Sequence, residues 1–336
     1  MSRRVAVLSA AVAALVAVPA SAAAQVAAPP PAPTPAPAPP PAPAPAPAKL
    51  SIGFEKVHRD GRDRLVLQGQ RFRVTGSVRP FAPGQRVKVR VRQGKGKGKV
   101  RSVPVRQAGD RGTYTVRLRL KRRGRVRVRV EHPGSPELAA ARSRTLRLRV
   151  ISAKASQGSR GAAVRLLQRG LDKLGYYVPR NGTFDAATAR AVLAYRKVNG
   201  LARTTSATRR ILTAVLAGRG AFKVRHKKAG HHLEADLSRQ VLALIDGDRV
   251  VATYHTSSGK PSTPTVRGHF RVYMKTPGTN AKGMVDSSYF IGGYAVHGYQ
   301  SVPIFAASHG CLRVPIPDAR RIYNWLNLGD QVFVYG

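Results

Sequence analysis

The chain contains a single cysteine, Cys311, within Ser308-His309-Gly310-Cys311-Leu312-Arg313, and a histidine upstream, His297, within Ala295-Val296-His297-Gly298. A free thiol titrates near ~8.5, so at neutral pH it needs a base or positive surroundings before it can attack a carbonyl. The short run supplies His309 two residues from the thiol and a glycine that permits close substrate approach. Backbone N–H groups around Gly310 and Cys311 could also hold a developing oxyanion. His297 lies at the end of an expected strand. A cysteine with a histidine folded beside it is a nucleophile–base pair in the general sense. The same residues also fit a small buried apolar side chain at Cys311 and a turn residue at His309, and residue types alone leave both open. His231 and His232 are neighbours on an expected strand and point to opposite faces, so they cannot easily share a metal. With no paired cysteines and no His-Glu-x-x-His run, neither a metal site nor a cofactor is expected. Tyr289 and Tyr294 precede the base and are candidates for lining a donor pocket, or for ordinary packing.

The elements that must position these groups follow from periodicity. From Phe222 onward apolar residues alternate, as at Leu233, Ala235 and Leu237. Gln240–Ile245 and Arg249–Tyr254 flank Asp246-Gly247-Asp248, a hairpin signal. Further strands are expected around Gly268–Met274 and Tyr294–His297, then a helix over Ala319–Leu326 and a closing strand over Gln331–Tyr335. Residues 222–336 thus read as a mostly β domain carrying the cysteine and both histidines.

Before it, over residues 157–218, the period is helical. Ala163, Val164, Leu167, Leu171 and Leu174 share one face, and Gly175 is placed to end that helix. Asn181-Gly182 marks a turn, and Asp185 can cap a second helix that carries Val192 and Tyr195 and stops at Asn199-Gly200. Ser206 can cap a third, with Ile211, Leu212, Val215 and Leu216. A small three-helix bundle is predicted.

Residues 50–152 have period two again. Val87, Val89 and Val91 alternate with cations, as do Val116, Leu118 and Leu120, then Val126, Val128 and Val130, and finally Leu146, Leu148 and Val150. Short strands with one apolar and one cationic face predict an antiparallel, Ig-like β-sandwich, with Gly94–Lys99 as a hairpin loop. The outward arginines are the main source of a formal net charge of +44, from 59 Lys+Arg against 15 Asp+Glu. Such a surface is either a solvated face or a means of docking onto anionic wall polymers. Nucleic acid is disfavoured, because the strands lack interleaved aromatics for base stacking and the expected compartment lacks the ligand.

That compartment is read from the first residues. Ser2-Arg3-Arg4, an apolar stretch over Val5–Val18 and the small-residue run Pro19-Ala20-Ser21-Ala22 have the layout of a secretory signal, expected over residues 1–24. The stretch is shorter than the ~20 residues a bilayer span requires, so no permanent membrane span is expected. Residues 25–49 are almost purely Pro and Ala and predict an extended polyproline spacer of roughly 3.1 Å per residue. One cysteine in an exported chain has no partner for an internal disulfide.

Two stretches resemble known families. Val164–Leu167–Gln168–Leu171, Leu174-Gly175-Tyr176, Asn181-Gly182-x-Phe184 and Ala187-Thr188 resemble the peptidoglycan-binding module of wall enzymes, with Asn181 where Asp is usual and Asp185 where Gly commonly follows. His297 with Ser308-His309-Gly310-Cys311-Leu312-Arg313 resembles the signature of the L,D-transpeptidase, or YkuD, catalytic domain. Supporting matches are Ala235–Leu242 and Thr256-Ser257-Ser258-Gly259-Lys260 with Thr263-Pro264-Thr265 and Gly268-His269-Phe270. The His297-to-Ser308 interval is shorter than in the best-known members, and Arg313 stands where some have Asn.

The resemblance implies a set of roles. Cys311 attacks the third-residue carbonyl of a peptidoglycan stem tetrapeptide and expels D-Ala, and His297 is the base, oriented by the Gly298 carbonyl. N–H groups of Gly310 and Cys311 form the oxyanion hole. Ser308 and His309 shape the site, and Arg313 clamps a substrate carboxylate. The acyl group then passes to an amine of a second stem, or to water. The implied partners are peptidoglycan stem peptides and glycan, with carbapenems as acylating inhibitors of Cys311.

Overall fold

A strand whose alternate residues are valine and arginine can bury only one face, so two such sheets must pack apolar side to apolar side. In a computed structural model describing residues 43–336 they do. The expected export signal and most of the Pro/Ala spacer lie outside the described residues. One sheet has five strands, centred on Arg71–Arg79 paired with Arg111–Arg119. The other has seven, with Gly124–His132 between Arg86–Gln93 and Leu146–Ile151. Val74, Val87, Val89, Val126, Val128 and Val130 fill the space between them, while Arg125 and Arg127 face solvent. The expectation of purely antiparallel pairing needs one correction. Asp63–Leu67 runs parallel to Leu146–Ile151, with Val66 opposite Val150. Asp63–Leu67 already forms a tight hairpin with His58–Asp60. Its other edge is left for a strand far along the chain, so its direction is not dictated by a turn.

Three helices follow: α1 (Ala162–Lys173), α2 (Ala186–Val198) and α3 (Arg209–Leu216). Gly175, at φ +78°, turns the chain out of α1. Asp185 caps α2 by accepting from the Thr188 N–H at 2.8 Å. The cap of α3 is Thr208, not Ser206. Ser206 is committed elsewhere: its carbonyl accepts two bonds from the Arg196 guanidinium, and Ala207 bridges to Ala155 in extended form.

The remaining residues form two sheets and a fourth helix. The five-stranded sheet runs Arg249–His255, Val241–Asp246, His231–Asp236, Gln331–Tyr335, Gly268–Arg271. The four-stranded sheet runs Met274–Thr279, Val285–Ile291, Tyr294–Tyr299, Leu312–Pro315. Helix α4 (Ile316–Trp325) packs on the strands Val285–Ile291 and Tyr294–Tyr299. Leu233, Leu244, Phe290, Val296, Leu312 and Val332 are among the core residues of this region.

Two expectations are corrected here. The single strand expected over Gly268–Met274 is two strands in different sheets. Val272, only 1% exposed, is pinned between them by bonds to Asp330 O (2.9 Å) and from Gly329 N (2.7 Å). And α4 begins at Ile316, ahead of Pro317, because a proline in the first helical turn loses no bond that the helix would have made.

The segments pack together: residues 45–336 make one unit. Leu65, Leu67 and Ile151 share a core with the three helices. Arg165 and Arg169 of α1 both reach Asp60, at 2.8 and 2.7 Å. On its other side α2 lies against Arg249–His255. Arg190 of α2 makes two 2.8 Å bonds to Asp318 of α4. Lys197, seven residues on and 2% exposed, sends its ammonium to Thr256 O (2.9 Å), Gln240 O (3.1 Å) and His255 Nδ1 (3.3 Å). Arg203 reaches Ile304 O at 2.6 Å. Among the described residues no helix is long and apolar enough to cross a membrane.

Candidate active site

The strand Tyr294–Tyr299 pairs parallel with Leu312–Pro315, placing His297 opposite Arg313 and Val296 opposite Leu312. A parallel pair requires the chain to travel back to the end where the first strand began. That return, through residues 300–311, delivers Cys311 beside the start of the His297 strand, with Sγ 3.7 Å from Gly293 O. Both groups open into one cleft of about 560 Å³. One wall carries His297, Tyr299, Ser308, His309, Cys311 and Arg313; the other carries Asn280, Lys282, Met284 and Tyr289.

The turn before the thiol is fixed by short polar side chains. Ser308 is fully buried, and its hydroxyl donates to Cys311 O at 2.6 Å while accepting from Gly310 N at 3.1 Å. Thr265 donates to Gly310 O (2.7 Å) and Thr263 to Ser308 O (3.1 Å). Ser258 O accepts from both Ala307 N and Ser308 N. Thr256 donates to Arg313 O at 2.7 Å, and Ser257 exchanges two 3.0 Å backbone bonds with Arg313. A buried turn whose backbone groups were unpartnered would be unstable, and the Thr256–Thr265 stretch supplies the partners. Gly310 is required on two counts. Its φ is +118°, and a Cβ there would sit 1.8 Å from Tyr294 Cε1.

His297 is 2% exposed, and its Nδ1 lies 2.9 Å from Gly298 O. A carbonyl only accepts, so Nδ1 carries the proton and Nε2 keeps a lone pair. Burial lowers the imidazole pKa to about 4; the Gly298 contact opposes that shift and the Arg313 charge adds to it. Burial raises the Cys311 thiol above its ordinary range, against the pull of the Ala295 backbone, Arg313 and Lys282. Both shifts favour a resting pair that is neutral: imidazole base and thiol, not imidazolium and thiolate. Such a pair transfers its proton as the nucleophile attacks.

The residues singled out from the sequence do not all take the places expected. Cys311, His297, Ser308, His309, Arg313 and Tyr289 share the cleft. The Arg313 guanidinium lies 4.1 Å over the Tyr299 ring, which in turn meets His297 edge-on at 5.6 Å. Gly298 is behind the base, bounded by Ala319 of α4. Two expectations are corrected. The Gly310 N–H is donated to Ser308 Oγ, so of the two expected oxyanion donors only that of Cys311 has no acceptor among the described residues. Tyr294 packs against Gly310 and is not part of the cleft wall. Asn280, Lys282 and Met284 were not foreseen as wall residues. They sit on the turn joining two strands, where Asn280 Oδ1 accepts from Lys282 N and Met284 N; an Asn-x-x-Gly turn was the available signal.

Residues 230–334 match the family profile described as YkuD, L,D-transpeptidase catalytic domain, and residues 160–215 match a putative peptidoglycan binding domain. Among solved structures the chain is similar to an L,D-transpeptidase from Xylanimonas cellulosilytica DSM 15894, at 33% identity. That likeness covers 54% of this chain and 97% of the other, with a TM-score of 0.49. An L,D-transpeptidase (Yku) from Stackebrandtia nassauensis is 21% identical over 54% and 95% of the two chains, with a TM-score of 0.35. One from Mycobacterium smegmatis is 13% identical over 84% and 100%, with a TM-score of 0.29. Among curated proteins none matches. The catalytic-domain match spans the whole cleft, and the helical match spans α1 to α3; the chain belongs to the L,D-transpeptidase family and joins its YkuD domain to a peptidoglycan-binding module.

Proposed function

We propose that the chain is an exported peptidoglycan L,D-transpeptidase with Cys311 as nucleophile and His297 as base. The observation that carries this reading is the tautomer lock. Nδ1 of His297 is held by the Gly298 carbonyl, so the free lone pair belongs to Nε2 on a ring lining the same cleft as the thiol. In the first half-reaction the thiol gives its proton to that lone pair as sulfur attacks the third-residue carbonyl of a stem tetrapeptide. The Cys311 N–H supports the oxyanion, and the imidazolium returns the proton to the departing D-Ala amine. In the second, an amine of another stem attacks the thioester and loses a proton to His297, the C–S bond breaks, and the imidazolium returns that proton to the Cys311 sulfur, leaving a 3→3 crosslink. Arg313 and Lys282, both lining the cleft, suit the carboxylates of a stem peptide. Arg313 keeps its planar fork in place by stacking on Tyr299.

The test is mass spectrometry of the full chain incubated with a carbapenem, beside Cys311→Ala, and product analysis on disaccharide-tetrapeptides. An adduct on Cys311 and crosslinked dimers are expected. Tripeptides without dimers would assign a carboxypeptidase instead. No adduct and no turnover would leave a wall-binding protein.

A further inference from the structure

A second cleft lies where the β-sandwich meets α3, on residues outside the catalytic domain. Its volume is about 520 Å³. Lys56, Arg71 and Arg119 enter it from the sandwich and Arg209 from the first turn of α3, with no acidic residue in the wall. Leu216 and Ala217 give it apolar surface, and Gln68 and Gln70 stand at its side.

Two of the cations are held at one point. Arg119 Nε donates to Gly69 O at 3.1 Å, and the Arg209 guanidinium lies over the α-carbon of the same glycine. A Cβ at Gly69 would come within 2.7 Å of both Arg209 terminal nitrogens, so this approach depends on glycine. None of the four cations has a carboxylate partner among the described residues. An excess of cations over acids leaves many of them unpaired in this chain, but the cleft gathers four around one concave surface, whereas at the same junction Arg165 and Arg169 are paired with Asp60. Where cations hold the segments together they are matched with an acid; in the cleft they are gathered and left unmatched. Bringing like charges together costs free energy that an arriving anion recovers.

We infer that this cleft binds a short peptide bearing carboxylates and small alkyl side chains, the chemistry of an unreacted peptidoglycan stem, at a place separate from Cys311. The inference rests on the reading that the chain works on peptidoglycan. The guanidiniums match carboxylates through paired donors, and Leu216 and Ala217 match methyl and methylene groups. A polyphosphate chain would leave that apolar surface uncovered.

The test is retention of the full chain on purified wall sacs stripped of phosphate polymers. Arg119→Gln with Arg209→Gln should lower affinity about tenfold, the loss of roughly two charged hydrogen-bonding groups. Arg125→Gln with Arg127→Gln removes the same charge from an exposed strand and should change it less than about twofold. Should the first pair lower the melting temperature, Lys56→Gln with Arg71→Gln replaces it, with the same result expected. Free tetrapeptide should shift the amide resonances of Gly69 and Leu216. Equal losses in both pairs, no loss in the cleft variants, no resonance shift, or retention that disappears when phosphate polymers are stripped would each overturn the inference. Carbapenem labelling of Cys311 in the unsubstituted chain is recorded separately, so failure of this site and failure of the enzymatic reading leave different records.

Discussion

Substituting Gly310 by alanine should disable the proposed nucleophile without removing any of the proposed catalytic side chains. The added Cβ would lie 1.8 Å from Tyr294 Cε1 and 2.5 Å from Cδ1. Carbon–carbon contacts are comfortable at about 3.5–4.0 Å, so the overlap is nearly 2 Å and no small relaxation removes it. The backbone at φ +118° adds a further cost of about 1–3 kcal/mol for a residue with a side chain. Either the Tyr294 ring or the turn carrying the thiol must move. The ring adjoins the core that includes Phe290 and Val296, so part of the displacement falls on the turn. A displacement of the thiol by about 1 Å costs on the order of 100-fold in rate. Carbapenem acylation of Cys311, followed by stopped-flow absorbance and mass spectrometry, should therefore slow at least about 100-fold in Gly310→Ala. Adding Tyr294→Ala removes the overlap but keeps the dihedral cost, so the double variant should recover about tenfold and remain below the unsubstituted chain. Acylation of Gly310→Ala within twofold of the parent, or a double variant slower than the single one, would refute the steric argument.

Other perturbations have equally definite outcomes. With His297 titrating at about 4, the base is neutral above that pH. Acylation should be level from pH 5 to 8 and fall about tenfold per unit below pH 4. Iodoacetamide, which requires the thiolate, should react about tenfold faster per unit as pH climbs toward the raised thiol pKa and level off beyond it; rapid alkylation at pH 6 would mean an ion pair and contradict the neutral resting state. Arg190→Ala strands the Asp318 carboxylate, whose side chain is 5% exposed, and should cost about 3–5 kcal/mol by denaturant unfolding at pH 7. Burial already raises the Asp318 pKa against the pull of Arg190, and losing the arginine raises it more. A raised carboxyl is stabilising below its unfolded pKa near ~3.9 and loses that contribution as pH rises. The penalty should therefore shrink at pH 4, and a pH-independent penalty would contradict it. Lys197→Met withdraws the donor shared by Gln240 O and Thr256 O, and acylation should slow about fivefold as the Arg313 strand loosens. An unchanged rate would show that the strand holds itself.

Several of these features were readable from residue order. The alternation of Val126, Val128 and Val130 with arginines specifies a half-buried strand, since a one-residue slip would bury the charges. The Asp185 cap and the Gly175 turn follow from local chemistry that acts within a few residues. The run Ser308–Arg313 singled out Cys311 as a candidate nucleophile through its resemblance to the YkuD signature, while its residue types alone left a buried, inert thiol equally open. What remained hidden is non-local. Nothing in the spacing of Thr263 and Thr265 announces that their hydroxyls tie down a turn 45 residues away, or that Thr256 reaches Arg313, 57 residues on. Ser308 was read as shaping the site, but the capture of the Gly310 N–H by its hydroxyl depends on a turn geometry that composition does not determine. Tyr294 could line a pocket or, more readily, pack in the ordinary way, and its packing against Gly310 takes the second course. The break at Val272 arises because its two flanks find partners in different sheets, a choice made by tertiary contacts.

Arg190, Lys197 and Arg203 bond the helical segment to the catalytic region, so the two pack as one unit and not as bodies on a tether. The helices' grip on the polymer and the direction from which the sulfur is approached are set together, as with a tool that has a handle but no wrist. On the proposed reading, the chain does not search for peptides around an anchored point. The pitch and spacing of the glycan strands would decide which stems present themselves, making crosslink placement a property of the lattice as much as of the enzyme.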